Sequence, residues 1–394
     1  MNHARSLAFV RCLPLAAVAG GMLLPAACGV DERADGPVTA GAGSATGDAT
    51  AGPGSETDTS ATAGGTGGPT SAGTSATAGA STSAGGPKFD VGLPDGGGAG
   101  CEGGDGNCGC SFVDLLFVID NSGSMGGYQE ALSLAFPQFV DTLVQALPTG
   151  TNVHVGVTST EMGYSSQGST SITNGQCTFM GEGGQSEDAF YITPDVMNTG
   201  RNGAQGRLYK PGGNGAAFAQ FDTDGPAADL DQAKQWFAQA AQIGEGGSNI
   251  EMSTAPAGWA TDPVNDPTNA GFLRDEGAVF VVFFMQDEPD QTPLTVNGME
   301  TGQLMLDKIT AAKAGCGGLS CVIAGGFLND NQCGGRPIDT FLAGIPTPPT
   351  VTNLPPENLA ETDPQAAAAQ MNQLLADTLA NVIAQKCDEI PPVG

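Results

Sequence analysis

Residues 112–124 read FVDLLFVIDNSGS. The apolar run Phe112–Ile119 has the composition of a buried strand, and the polar stretch Asp120-Asn121-Ser122-Gly123-Ser124 closes it with the spacing D-x-S-x-S. In an extended turn, residues i, i+2 and i+4 point to the same side. One carboxylate (Asp120) and two hydroxyls (Ser122, Ser124) then converge on one spot. Such an all-oxygen set suits Mg²⁺, Mn²⁺ or Ca²⁺ rather than a soft metal.

Working outward, Tyr128–Leu147 carries Leu132, Phe136, Phe139, Leu143 and Leu147 at helical spacing, with Pro137 expected to delay or kink the helix. Val153–Thr160 alternates as a second strand. Ala278–Asp287 (AVFVVFFMQD) is apolar almost throughout, as expected of a central parallel strand buried on both faces. Leu230–Ile243 and Gly302–Ala314 read as helices and Cys321–Phe327 as a strand. A last helix has Asp363 as cap and Pro364 at its first position, and runs to about Cys387. This alternation predicts an α/β fold, a doubly wound, mostly parallel central sheet flanked by helices.

Residues 161–228 are Gly-rich, polar and poorly periodic, and read as an edge hairpin with a long insertion over the site end of the sheet. Asp222-Thr223-Asp224-Gly225 begins like a calcium loop, but Pro226 and Ala233 occupy positions where that loop needs ligands, so a turn is expected.

The start of the chain reads as targeting sequence. Arg5 and Arg11 precede the apolar Leu13–Leu24, too short and too broken by Pro14 to span a membrane, so residues 1–27 are expected to be a signal peptide. Leu24-Pro25-Ala26-Ala27-Cys28 resembles a bacterial lipobox with Pro25 where Leu is usual. It predicts Cys28 as a lipidated first residue; ordinary cleavage after Ala27 is the alternative. Residues 28–100 are Gly, Ala, Thr and Ser with scattered acids, a composition expected to stay disordered and to act as a tether. The expected location is the outer membrane or cell surface as a lipoprotein, with a periplasmic or secreted protein as the alternative. Lipid is then the sole membrane contact.

Without residues 1–27, 42 acids face the remaining 11 of the 13 basic residues, a net charge of −31. That excess disfavours nucleic acid and anionic lipid as partners of the folded part. Beyond Cys12 and Cys28, eight cysteines remain: Cys101, Cys108, Cys110, Cys177, Cys316, Cys321, Cys333 and Cys387. An even number in an exported chain predicts disulfides. Neither Cys108-x-Cys110 nor Cys316…Cys321 has the usual C-x₂-C spacing of a zinc site. The one histidine outside the leader, His154, lies inside a strand pattern and reads as structural, which leaves no partner for a Ser-His-Asp or Cys-His arrangement.

In a doubly wound sheet, ligands sit beyond the carboxyl ends of the strands where the strand order reverses. Asp120 and Asp287 end two candidate central strands, and Gly246-Gly247-Ser248-Asn249-Ile250 lies between them in sequence with a further hydroxyl. With these motifs the chain resembles the von Willebrand factor type A (VWA) domain, from roughly Phe112 to Cys387 of a domain placed at residues 101–390. The family's metal-ion-dependent adhesion site combines D-x-S-x-S, a Thr in a later G-G-T-N-type loop and an Asp ending the fourth strand. Asp120, Ser122 and Ser124 match in full, Ser248 stands where the family has Thr, and Asp287 takes the last position. The tether, the cysteines and Asp287-Glu288-Pro289-Asp290 also look like a group of bacterial surface lipoproteins built on this domain.

The resemblance implies that Ser122, Ser124 and Ser248 contact the metal while Asp120 and Asp287 act largely through waters. Neutral hydroxyls leave the cation electrophilic enough to take a carboxylate from a partner protein, and Mg²⁺ is the expected ion, with Mn²⁺ or Ca²⁺ as alternatives. A domain of this type brings its ends together, so Cys110 is expected to pair with Cys387, and Cys101 with Cys108 to close a small loop. Glu251 and Asp290 lie near the site in sequence, where they could tune it, but they read first as solvated surface charge; Trp236 and Trp259 read as core, and Pro256 predicts a short or kinked helix after Ser248. The expected function is cation-dependent protein binding without enzymatic activity. The alternatives are an envelope scaffold in which the metal only stabilises the fold and, further off, a metal-dependent hydrolase.

Overall fold

The computed structural model describes residues 109–390 apart from 164–167, 174–175, 182–184, 198–199 and 330–332. The leader, the tether, Cys28, Cys101 and Cys108 lie outside the described residues. In chain order the elements are β1 (Phe112–Ile119), α1 (Gly126–Ala146), β2 (Asn152–Ser159), β3 (Gly168–Thr173), β4 (Gln176–Gly181), β5 (Phe218–Asp222), α2 (Ala227–Ala240), α3 (Thr254–Trp259), α4 (Asp266–Asn269) and β6 (Ala278–Gln286). There follow β7 (Thr295–Val296), β8 (Met299–Glu300), α5 (Thr301–Ala312), β9 (Val322–Leu328), α6 (Pro337–Gly344), β10 (Thr350–Thr352), α7 (Glu357–Thr362), α8 (Pro364–Leu374) and α9 (Ala380–Glu389).

Six strands form the central sheet in the order β10-β9-β6-β1-β2-β5. Every pairing is parallel except the edge pair β2–β5. From β1 the chain moves outward to β2 and β5, then returns to β6 on the other side of β1. The strand order therefore reverses between β1 and β6, and their carboxyl ends frame the crevice in which such sheets bind ligands.

The sheet is covered on both faces, which explains why β1 and β6 read as nearly unbroken apolar runs; all nine residues of β6 are buried. Val113, Leu115, Phe117 and Ile119 of β1 join one core cluster, with side chains from α1, α2, α8 and α9. Leu116 and Val118 point the other way, into a second cluster fed by α3, α5 and α6. The centre of the first is Phe117, whose ring lies 4.7 Å from Phe237, 5.3 Å from Phe283 and 6.0 Å from Phe136. Truncating a buried Phe of this kind costs about 3–5 kcal/mol.

Pro137 neither delays nor breaks α1, which runs through it as one helix of 21 residues. Burial of Phe136 and Phe139 on either side offsets the hydrogen bond that Pro137 cannot make. The expected last helix is capped by Asp363, which accepts from Ala366 N at 3.1 Å, but it is divided by a π-helical turn at Leu375–Leu379. Its end is tied to the start of β1 by a disulfide between Cys110 and Cys387, as the resemblance implied, with Cα atoms 4.6 Å apart. Cys177 pairs with Cys333 and Cys316 with Cys321. These bonds fit an extracellular protein. Among the described residues no helix is long and apolar enough to cross a membrane.

The insertion expected at residues 161–228 contains the β3–β4 hairpin and returns through β5, which completes the antiparallel edge. Before β5 it runs beside the carboxyl end of β2: Ser159 N and Tyr209 N donate to Gly203 O and Val157 O, each at 2.7 Å.

Candidate cation-binding site

Asp120 is the first residue past β1, and its N–H still donates to Met285 O of β6 at 2.8 Å, so the ladder fixes where the loop begins. The chain then turns because Ser122 N donates to Asp120 Oδ1 at 2.8 Å. This turn places Ser122 Oγ and Ser124 Oγ 3.3 Å apart, the convergence that the D-x-S-x-S spacing predicts. Asp120 and Ser122 are buried, and Ser124 is half-buried.

The Gly246–Ile250 loop docks against this turn. Gly247 N donates to Asn121 O at 3.0 Å, and a Cβ at Gly247 would lie 2.5 Å from the Asn121 side-chain amide, so any other residue there would have to displace that amide. Gln129 of α1 joins the two loops: its Nε2 donates to Asp120 O at 3.1 Å and Gly244 O at 2.9 Å, while its Oε1 accepts from Gly244 N at 3.1 Å. Ser248 is buried, with its Oγ accepting from Ile250 N at 3.1 Å and its N–H donating to Glu161 Oε2 at 2.8 Å. Asp287 follows β6 directly, and its charge acts on Asp120. The five residues expected to make the site thus belong to three loops at one end of the sheet.

Two further acids join them. Glu161 follows the carboxyl end of β2, and Glu251 follows the Ser248 loop; each is 1 % exposed. Solvated surface charge, the expectation for Glu251, is therefore corrected: the convergence of three loops encloses it. One signal for Glu161 was available, because it stands just past β2 as Asp120 stands past β1. Asp290, expected at the surface, is also buried, but it is fully engaged. It accepts from Thr254 Oγ1 at 2.6 Å, Thr292 Oγ1 at 2.6 Å, Thr292 N at 3.0 Å and Ile338 N at 3.1 Å, which ties α3 and α6 to the loop after β6.

The site acids differ from Asp290 in each having one buried oxygen without a donor. Asp120 Oδ2, Glu161 Oε1, Glu251 Oε1 and Asp287 Oδ1 are buried with no hydrogen-bond partner among the described residues. Burial, and then the charge of Asp287, push the Asp120 carboxyl well above its ordinary range. Burial and then Asp120 do the same to Glu251, and burial raises Glu161 and Glu288. The cation facing this group is Arg201, half exposed, 3.7 Å from Glu161 Oε2 and donating to Gly246 O at 2.5 Å. Buried carboxylate oxygens without donors are what a hard divalent cation satisfies, and its charge would favour their ionised form. Among the described residues no three His, Cys, Asp or Glu side chains could hold an ion by themselves. The serine hydroxyls would have to complete the donor set.

His154 lies elsewhere. It pairs in register with Asp114 near the start of β1, six positions before Asp120, or roughly 20 Å at strand rise. Its Nδ1 is 2.7 Å from Phe272 O, and burial pushes its imidazole down, so it is structural as expected. Trp259 is buried, with its Nε1 donating to Tyr191 Oη at 2.6 Å, and Trp236 is partly buried against the first core cluster. Helix α3, which contains Pro256, is only six residues long, as that proline predicts.

No family model matches the chain, and no curated protein does. Among solved structures, similarity is found to a von Willebrand factor type A protein from Catenulispora acidiphila (14 % identity, 66 % of this chain and 43 % of that one, TM-score 0.27). It is also found to proximal thread matrix protein 1 from the mussel byssus (12 % identity, 68 % and 49 %, TM-score 0.30). A third is the pilus adhesin SpaC from Lactobacillus rhamnosus GG (11 % identity, 66 % and 30 %, TM-score 0.29). The chain spans less than half the length of each of these structures. Likenesses this slight carry no argument about function; the sheet order and the site geometry stand on their own.

Proposed function

We propose that this chain is an exported, lipid-anchored protein that binds a protein partner through a divalent cation held at the carboxyl end of its sheet. One observation carries the proposal: Asp120, Ser122, Ser124, Ser248 and Asp287 gather at the strand-order reversal, where buried carboxylate oxygens lack donors. Ser122, Ser124 and Ser248 supply neutral hydroxyls, and Asp120 and Asp287 supply charge through waters. When bound, the ion offers a Lewis-acidic position to a carboxylate of the partner. Mg²⁺ is the ion this set favours, since it keeps waters and takes few protein ligands. Cys28 and residues 28–100 would hold the domain on a flexible tether outside the cytoplasm. The placement of His154 near the far end of the sheet from the site supports a binding rather than a hydrolytic role.

The test is partner capture from an envelope or surface extract by the full chain, with and without EDTA, beside Asp120→Ala. Capture lost in EDTA, restored by Mg²⁺ and absent in the variant is expected. Capture indifferent to both contradicts the proposal.

A further inference from the structure

Glu251 is 1 % exposed and lies in the field of Asp120, Glu161 and Glu288. Thr160, at the end of β2, holds one of its oxygens, for the Thr160 hydroxyl donates to Glu251 Oε2. The backbone fixes it as well: Met252 N donates to Thr160 O at 3.1 Å, and Gln291 N donates to Glu251 O at 2.6 Å. Glu251 is thereby clamped between the loop after β2 and the loop after β6. Its other oxygen, Oε1, is buried with no donor among the described residues, as are Asp120 Oδ2, Glu161 Oε1 and Asp287 Oδ1. A rigidly held carboxylate with one satisfied oxygen and one bare oxygen, set among three further acids, is poorly explained as packing. Ionising a group so placed costs several kcal/mol unless an opposite charge sits nearby. Arg201 faces Glu161 from the half-exposed rim, and no ion pair to Glu251 is found among the described residues.

We propose that Glu251 is a positioning residue of the cation site, a buried carboxylate that supplies negative charge behind the hydroxyl ligands. The site is then loaded with a divalent cation before any partner arrives. This rests on the cation-dependent reading above and deepens it. The hydroxyls and water-linked aspartates of the three loops leave the ion short of charge, and Glu251, with Glu161 beside it, makes up the deficit from the protein side. Outer-shell carboxylates of this kind change metal affinity by roughly 10–100-fold. Glu251 acts through charge and through the Thr160 loop and does not need to touch the ion.

Isothermal titration of the full chain with Mg²⁺, Mn²⁺ and Ca²⁺, alongside thermal melting without metal, tests this. Glu251→Gln keeps the shape and the Thr160 contact but removes the charge. The expected result is saturable binding by the wild type without a partner, weakened at least about tenfold in Glu251→Gln. The metal-free melting temperature should stay equal or rise, and Glu251→Asp should recover part of the affinity. A neutral structural acid would shift the melt and leave cation affinity alone, so affinity within about twofold of wild type overturns the proposal. If Asp120→Ala abolishes binding at the same time, the cation site stands and the role of Glu251 alone fails. If the wild type binds no cation, both fail. Should Glu251→Gln not fold, Thr160→Val releases Oε2 and is expected to weaken binding severalfold; unchanged affinity there overturns the proposal equally.

Discussion

Asp114 and Asp120 lie six positions apart at opposite ends of one strand, both fully buried, and their surroundings are opposite. At the amino end, Asp114 Oδ2 accepts from Arg274 N and Oδ1 from Arg274 Nε, each at 2.8 Å, and Arg274 Nη2 also donates to Oδ1. Arg274 Nη1 reaches Asn152 Oδ1 at 2.5 Å, and Lys313 Nζ donates to Arg274 O. Burial raises the Asp114 carboxyl, Arg274 pulls it back, and the forked geometry is that of an ion pair. At the carboxyl end, Asp120 Oδ2 has no donor among the described residues, and the charges acting on it are those of Asp287 and Glu288. Buried charge is thus matched by a forked guanidinium at the amino end, whereas at the carboxyl end four buried carboxylate oxygens lack a donor among the described residues. Burial alone does not distinguish the two acids; the number of donors each receives does.

The largest effect that would break this contrast comes from removing one side of each arrangement. Arg274→Ala leaves Asp114 buried and alone and is expected to cost about 3–5 kcal/mol in urea unfolding. Asp120→Asn is expected to leave the metal-free chain as stable or more so while abolishing cation binding by calorimetry. Equal destabilisation of the metal-free chain by both would remove the distinction. Next in size is the Cys110–Cys387 bond, which closes 277 residues at the amino end. Replacing both cysteines with Ala is expected to cost about 2–5 kcal/mol. Cation affinity should be unchanged, because the site lies at the other end of the sheet.

Titration with and without metal separates the two ends without mutation, because Asp114, which is also raised, responds to pH whether or not a cation is bound. The carboxyls of Asp120 and Glu251 are raised in the folded chain, so the stability they contribute is present below the ordinary carboxylate value near ~4 and is lost as pH rises through their folded values. Metal-free stability should therefore fall with rising pH across that window. Saturating Mg²⁺ should cancel or invert the trend, since binding needs both groups ionised. Lys313, at the amino end, is pushed down to about 8 by burial and gives the opposite slope. Its contribution rises with pH between about 8 and the ordinary lysine value near ~10.4, with or without metal. Denaturation midpoints across pH, with and without Mg²⁺, check both signs. The smallest effect belongs to Ser248→Thr. It keeps the hydroxyl and is expected to change cation affinity by about 0.5 kcal/mol or less, roughly a factor of two by calorimetry.

The parts of this contrast that were legible in sequence are those carried by local pattern. Nearly unbroken apolar runs marked β1 and β6 as strands covered on both faces, and a polar residue after each run marked Asp120 and Asp287. The Asp363-Pro364 pair marked a helix start. Burial of Glu161 and Glu251 was not legible, because it arises only when three loops far apart in sequence meet; for Glu161 the strand before it gave a position but not its burial. The Arg274 pair at the other end was hidden for the same reason: its partners are 160 and 122 positions away. Helix α6 was missed although its signal was present, with Pro337 at the first position and Asp339 Oδ2 accepting from Arg336 N at 3.1 Å. Strand β10, three residues at the sheet edge, is too short to show alternation.

The most direct measurement of the central claim is anomalous diffraction from crystals of the chain grown in Mn²⁺. A single peak bounded by Ser122, Ser124, Ser248, Asp120 and Asp287, absent from Asp120→Ala crystals, is the expected result. No peak there, with those carboxylates bridged by protons or water instead, would contradict the account.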